Sequence, residues 1–538
     1  MPAMKNTTGN GSRTDGISAA AVTMRSLRGA SLVASALAAL LPITGLAAST
    51  AWAVTTNPTL VQIGVADLQQ ANSSIDGTGV TVAQVEASAG YYNPPGDPYA
   101  YMSVFEPNPT NLNQSASKFT YIDYSPTPST FSSGQYSGHA EAVASLFYGN
   151  TGSGVATGVS GIDVYEADYY YYNVVANGIA PLGSTSAGVP TNSSPAVVNQ
   201  SFIWESADAS TIDEYNYGYD NYAATYNTLF VSAAGDGTTT STTPASYVNP
   251  PATAPNGISV GALGLPNVTG ADITAPGGAT SYTAPLVSGV ATDLIQAGRE
   301  GIGGAGTQTA ATDIRTVKAL LFNGAVKPTG WANTSNTSGG SPLDPVYGSG
   351  IVNAYNSYEN LAGGEHAAST TTTQAAGSTV QFQLDKAAIE NSLVGWNLAT
   401  ITSSASQEAI DHYDFSMPQI GNNSYDLTAT LVWNVHAGQT QMNDLNLYLL
   451  NSSGQVVGQS ISSNDNLQIL ALNGLTPGMY DLAVMKLGGS FVTASETYAL
   501  AWSIQDPAGS TPEPAALGLM AVGILGLMGK RGTLSRRP

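Results

Sequence analysis

The chain has 538 residues, 15 Lys+Arg against 36 Asp+Glu, and a formal net charge of −21. So acidic a chain has no basic face with which to neutralise phosphates, which excludes nucleic acid as a partner. It has no Cys, so disulfides, thiolate metal centres and a Cys nucleophile are excluded, and its four His are too few for a His-rich metal centre.

In chain order, residues 1–53 read as a signal peptide region. Arg25 and Arg28 precede a small or apolar run from Ala30 to Leu46, and Ala51-Trp52-Ala53 puts small residues at the A-x-A cleavage positions. Residues 54–76 form a short lead-in. From Gly79 to about Ala362, strand-like runs alternate with helix-like ones. Strands are predicted at 80–85, 196–202 and 228–233, and helices at 139–147, 281–297 and 313–323. Strands separated by helices predict a parallel α/β sheet. Their apolar runs lack strict alternation, which predicts a sheet covered on both faces. The Tyr169–Tyr172 run reads as a surface strand or loop.

Residues 363–377 are rich in Gly, Ala and Thr and read as a linker. Beyond them the apolar period is two: Leu427, Ala429, Leu431 and Trp433, then Leu445, Leu447 and Leu449, then Tyr498, Leu500, Trp502 and Ile504. This predicts an antiparallel β-sandwich over 378–506. Residues 507–538 hold Pro512-Glu513-Pro514, an apolar stretch Ala515–Gly529, and then Lys530, Arg531, Arg536 and Arg537. The stretch is shorter than the ~20 residues that comfortably span a bilayer. Basic residues behind it hold that end inside. The order resembles the PEP-CTERM sorting signal of Gram-negative bacteria. That resemblance implies a sorting protease of exosortase type as partner, transient membrane contact through the tail, and a secreted or cell-surface location.

Three segments between 77 and 362 carry candidate chemistry. Val80-Thr-Val-Ala-Gln-Val-Glu86 is a strand ending in a carboxylate. Gly138-His139-Ala-Glu-Ala-Val-Ala-Ser145 puts a His at the start of a small-residue helix. Ala279-Thr-Ser281-Tyr-Thr-Ala-Pro285 puts a Ser at the start of another. A Ser hydroxyl is a weak nucleophile that needs a base, and the base needs a carboxylate to fix its tautomer. His139 is the only imidazole between 54 and 362. A Ser at a helix start also aims backbone N–H groups at developing negative charge. Taken singly, these residues read as a helix cap, a structural His and a solvated Glu.

Together they resemble the subtilase family of serine peptidases, with the acid, His and Ser in that family's chain order. His139-Ala-Glu-Ala-Val-Ala-Ser stands where the family has His-Gly-Thr-His-Val-Ala-Gly. Ala279-Thr-Ser281-Tyr-Thr-Ala-Pro285 stands where it has Gly-Thr-Ser-Met-Ala-x-Pro. Val198-Asn-Gln-Ser201-Phe resembles the substrate-flanking strand, and Ser232-Ala-Ala-Gly-Asp236-Gly the oxyanion segment. The resemblance covers about 77–362. It implies a subtilisin-like three-layer α/β fold with a mainly parallel sheet, followed by the antiparallel β-sandwich domain. It also implies an endopeptidase acting on protein or peptide. Ser281 is then the nucleophile, His139 the general base and later acid, Glu86 the orienting carboxylate and Asp236 a member of the oxyanion site. No cofactor is required for catalysis. Structural calcium, frequent in the family, is compatible with the acidic loops, although no D-x-D-x-D-G loop occurs.

Two residues depart from the family pattern. Glu86 replaces Asp and adds a methylene. Asp236 replaces an Asn whose amide donates to the oxyanion. An ionised Asp only accepts, and losing one such donor costs ~10²–10³ in rate. The related sedolisins use Asp there and work in acid, but they carry Glu in place of His, and position 145 here is Ser, not an acid. To donate, Asp236 must carry a proton, so the sequence predicts a rate profile on the acid side of neutrality. Asp236 and the short lead-in, which has no room for a folding pro-domain, also fit an alternative: a catalytically retired subtilase-fold surface protein that binds peptide or matrix. The β-sandwich resembles domains appended to secreted bacterial peptidases, as a binding or a stabilising module.

Overall fold

The structure, a computed structural model, describes residues 57–92, 102–123, 134–176, 195–204, 208–237, 248–265, 270–385, 389, 392–489 and 492–506. The signal region 1–53 and the tail 507–538 lie outside the described residues. Thr81–Glu86 (β1), Phe119–Ile122 (β2), Gly161–Glu166 (β3), Val197–Gln200 (β4), Leu229–Ala233 (β5), Ile258–Ala262 (β6) and Ile273–Ala275 (β7) form one seven-stranded sheet. All neighbours are parallel, in the order β2-β3-β1-β4-β5-β6-β7. Every residue of β4 to β7 is buried. This is the doubly covered sheet that apolar runs without alternation require.

The helices that matter for the site are Gly138–Phe147 (α1), Thr280–Arg299 (α2) and Ile314–Gly324 (α3). The lead-in is part of the body rather than a spacer. Pro58–Gln62 and Val65–Ala71 are helical, and Leu60, Ile63, Val65 and Leu68 join the main core. The Tyr run is also not a surface strand or loop. Ala167–Tyr169 is a helical turn that continues as a π-helical turn over Tyr170–Val175. Tyr170 and Tyr171 are buried while Tyr172 is exposed. Tyr170 packs edge-on against Tyr165 with ring centroids 4.7 Å apart, so the buried rings bring apolar area that a loop would have left in water.

The α2 helix is buried along almost its whole length. It carries Asp293, which is 1% exposed and whose Oδ1 has no hydrogen-bond partner among the described residues. Burial, reinforced by the charge of Asp76, holds this carboxyl well above the usual range. A carboxyl raised in the folded state is neutral in both states below its unfolded pKa, so stability is full there. As pH rises towards the folded value the unfolded chain ionises first, and stability falls. Asp293→Ala is therefore expected to gain about 1–3 kcal/mol at alkaline pH and little in acid. Denaturant melts at the two extremes check this; equal stability of both forms at both would contradict it.

The second half is an antiparallel sandwich. Thr370–Ala375 (β8), Val394–Thr402 (β9), Gln407–Met417 (β10), Tyr425–Trp433 (β11), Leu445–Asn451 (β12), Val456–Ser460 (β13), Leu467–Leu475 (β14), Gly478–Lys486 (β15) and Ser495–Gln505 (β16) make two sheets. Their orders are β8-β10-β15-β12-β13 and β9-β16-β11-β14. The period-two residues Leu427, Ala429, Leu431, Leu447, Leu449, Leu500 and Trp502 fill the space between them. The Thr run read as linker is the edge strand β8, antiparallel to β10. Four β-branched residues with alternating exposure suit a pleated edge once a partner strand is present.

The two halves share a core. Trp396, Val432, Leu467, Ile469, Ala499 and Ala501 of the sandwich belong to the same buried cluster as the sheet and helices of the first half. Asn360 donates to the Trp502 carbonyl at 2.9 Å, and Asn256 exchanges two 2.8 Å bonds with the Val435 backbone.

Candidate active site

Glu86 is the last residue of β1, a strand flanked by β3 and β4. It is 1% exposed. His139 is the second residue of α1, whose start is fixed by Ser137: its hydroxyl accepts from Ala140 N at 3.2 Å. His139 Nδ1 lies 2.7 Å from Glu86 Oε2, so the extra methylene of Glu is accommodated. The carboxylate is buried and the imidazole is 39% exposed. Burial pushes the Glu86 carboxyl up, against the pull of His139 and Gln84. The hydrogen bond to Glu86 pushes His139 up; burial opposes it, and the charges of Glu86 and Asp236 add to it.

Ser281 is the second residue of α2. Pro285, inside that helix, has no N–H to bond the carbonyl four residues back, which is that of Ser281. The freed carbonyl accepts from Ser201 Oγ at 2.9 Å. In return the Ser281 hydroxyl donates to the Ser201 carbonyl at 3.2 Å, not to His139. Ser201 is itself held by Asn199 Nδ2 at 3.0 Å, and Asn199 by Ser288 Oγ at 3.0 Å. The ring of Tyr282, the next residue, has its centroid 5.9 Å from that of His139. The ring contact brings the start of α2 to the start of α1, with the Ser281 hydroxyl turned to the Ser201 carbonyl. Apo sites are frequently loose in this way.

Asp236 sits in the loop after β5 and reaches the first turn of α2. Its Oδ1 accepts from Thr280 N at 2.7 Å and from Thr280 Oγ1 at 2.8 Å. Thr280 Oγ1 accepts in turn from Gly235 N at 3.1 Å. The residue before the helix, Ala279, has no side-chain cap, so Asp236 does that work from a neighbouring segment. An oxygen that accepts two donors is not itself a donor; only Oδ2 remains for that role.

All four predicted residues thus gather where β1, α1, α2 and the β5 loop meet. Sequence reasoning missed Gln84 and Tyr148. Gln84 Nε2 donates to Glu86 Oε1 at 2.8 Å, and the Tyr148 hydroxyl donates to Gln84 Oε1. The signal was present: residues two apart on a strand share a face. Among the described residues no group of three or more His, Cys, Asp or Glu is placed to hold a metal ion, and no helix is long and apolar enough to cross a membrane.

Residues 510–532 match the PEP-CTERM protein-sorting motif, a signal of extracytoplasmic proteins. No curated protein matches the chain. Among solved structures it is similar to a mutant of the protease domain of PatA, at 18% identity and TM-score 0.33, covering 54% of this chain and 98% of that one. It is similar to a lanthipeptide protease at 16% identity and TM-score 0.37, covering 56% and 93%. It is also similar to a serine protease of Aeromonas sobria at 13% identity and TM-score 0.33, covering 80% and 82%.

Proposed function

We propose that the chain is a secreted or surface serine endopeptidase that cleaves peptide bonds through Glu86, His139 and Ser281. The observation that carries this reading is the pairing of a buried carboxylate with an exposed imidazole at 2.7 Å, beside a Ser at a helix start. Ser281 Oγ turns from the Ser201 carbonyl to His139 Nε2, loses its proton there, and attacks the peptide carbonyl. Glu86 holds the Nδ1–H tautomer and stabilises the imidazolium. The oxyanion forms against the first turn of α2, where the Ser281 N–H and the helix dipole favour it. His139 then protonates the leaving amine, and water repeats the sequence on the acyl-enzyme. These steps use side chains and backbone alone.

A fluorophosphonate probe tests the reading, because it labels only an activated hydroxyl. Labelling at Ser281 is expected. A folded protein left unlabelled favours the second reading, a peptide- or matrix-binding surface protein, for which the resting Ser281–Ser201 bond and the acidic Asp236 speak.

The tail belongs to the same proposal. A sorting protease of exosortase type in a Gram-negative bacterium removes it after transient membrane contact, so the mature chain is expected to end near Pro512–Pro514. Mass spectrometry of surface protein from the native host checks this; an intact Arg537-Pro538 end contradicts processing.

A further inference from the structure

We infer that Gln84, held by Tyr148, is a positioning residue that aims the Glu86 carboxylate and sets the basicity of His139 through it. Gln84 and Glu86 alternate on one face of β1, the face turned to α1. The Gln84 amide has an acceptor oxygen and two donor hydrogens, and the oxygen and both hydrogens each have a partner. Nε2 donates to Glu86 Oε1 at 2.8 Å and to the Ala140 carbonyl at 2.9 Å, while Oε1 accepts from Tyr148. Flipping the amide would set its oxygen against a carboxylate and a carbonyl, so only one orientation is stable. Ala140 lies in the first turn of α1, and Tyr148 caps the same helix at its far end. The relay therefore ties both ends of the helix that carries His139 to the acid that orients it. Gln84, Glu86 and Tyr148 are all at most 1% exposed, so no water competes for these bonds.

The longer acid explains why such a residue is present. Glu has one more rotatable bond than Asp, and a carboxylate free to turn about it would present either oxygen, or neither, to Nδ1. With Oε1 fixed by Gln84, Oε2 faces His139. The same donor favours the ionised form of a carboxylate that burial otherwise penalises. A better-held anion stabilises the imidazolium more strongly. The titratable groups facing His139 are Glu86 on β1, Asp236 in the β5 loop and Tyr282 on α2. Tyr148 faces Glu86 from the end of α1, and Tyr121 of β2 faces Tyr148.

The role of Gln84 rests on the proposed peptidase chemistry, but its test reads the imidazole directly. The chain has only four His, so the His139 resonance in a nitrogen-15 spectrum of the full chain can be followed with pH. Gln84→Met keeps the side-chain length and removes the amide. It is expected to lower the His139 titration midpoint by about one unit, and to cut kcat by about tenfold to a hundredfold with KM unchanged. Tyr148→Phe, which deletes one oxygen, should shift the midpoint in the same direction by less, and it carries the test if Gln84→Met does not fold. A folded variant with an unmoved His139 midpoint overturns the inference. A wild type that hydrolyses nothing, while Gln84→Met still lowers the His139 midpoint, overturns the peptidase reading and leaves the positioning relay standing.

Discussion

Ser281→Ala is expected to slow peptide hydrolysis on the order of 10⁴- to 10⁶-fold and to abolish probe labelling, with the fold intact. The side chain is only partly buried, and its hydroxyl makes one hydrogen bond, to the Ser201 carbonyl. Losing that bond costs about 0.5–1.5 kcal/mol. The bond that restrains the helix start, from Ser201 Oγ to the Ser281 carbonyl, involves backbone and survives the substitution. Loss of rate with no more than that small loss of stability therefore assigns the hydroxyl to chemistry. His139→Ala should lose a similar factor at every pH, because no other imidazole lies in this half of the chain. Hydrolysis at the wild-type rate in folded Ser281→Ala would remove Ser281 from the mechanism.

Asp236→Asn is the second large effect, and it runs upward. The Oδ1 of Asn takes over both bonds from Thr280, so the cap on α2 is kept. Its amide nitrogen replaces Oδ2 and adds a permanent donor at the oxyanion side, raising kcat by up to roughly 10²–10³. The substitution also removes a negative charge that helps to raise His139. The acid limb of kcat/KM, which reports freeing of the base, should therefore move to lower pH. The structure changes the expectation of an acid optimum. His139 is raised above its ordinary value, so the base is free only at higher pH, and Asp236 Oδ1 already accepts two bonds from Thr280. Catalysis in the wild type then rests on the backbone donor, and its rate should climb through the raised His139 midpoint and stay high on the alkaline side. Profiles of kcat/KM for both forms decide this. An acid optimum in the wild type with no gain in the Asn form would contradict it.

The candidate segments stood out because their residue types are scarce. A chain with one imidazole between 54 and 362 offers no alternative base, and Ser before a long small-residue helix is visible as pattern. The long helix and the central strands followed from apolar runs. The helix Ala209–Tyr226 did not, because it is built from Tyr, Asn, Asp and Thr, and its stability comes from Tyr219 and Tyr222 packing under Phe230. Composition could not separate a Thr-rich linker from the strand β8, since the deciding partner β10 is some forty residues away. The bonds that tie Gln84 to α1 and Asp236 to α2 end on backbone groups, the Ala140 carbonyl and the Thr280 N–H. Every residue has those groups, so no sequence pattern announces them.

The shared core has a consequence for how the chain could be divided. On one side α3 packs against α2, whose first turn holds Ser281; on the other it meets β11 and β16. All of its residues except Arg315 are buried. A chain shortened after Ala362 would turn the apolar flank of that helix to water, one layer from the helix that carries Ser281. The sandwich is thus no detachable passenger. Removal of the sandwich would strip α3 of its partner strands, and exchange of the sandwich for an unrelated module would require a new wall for α3.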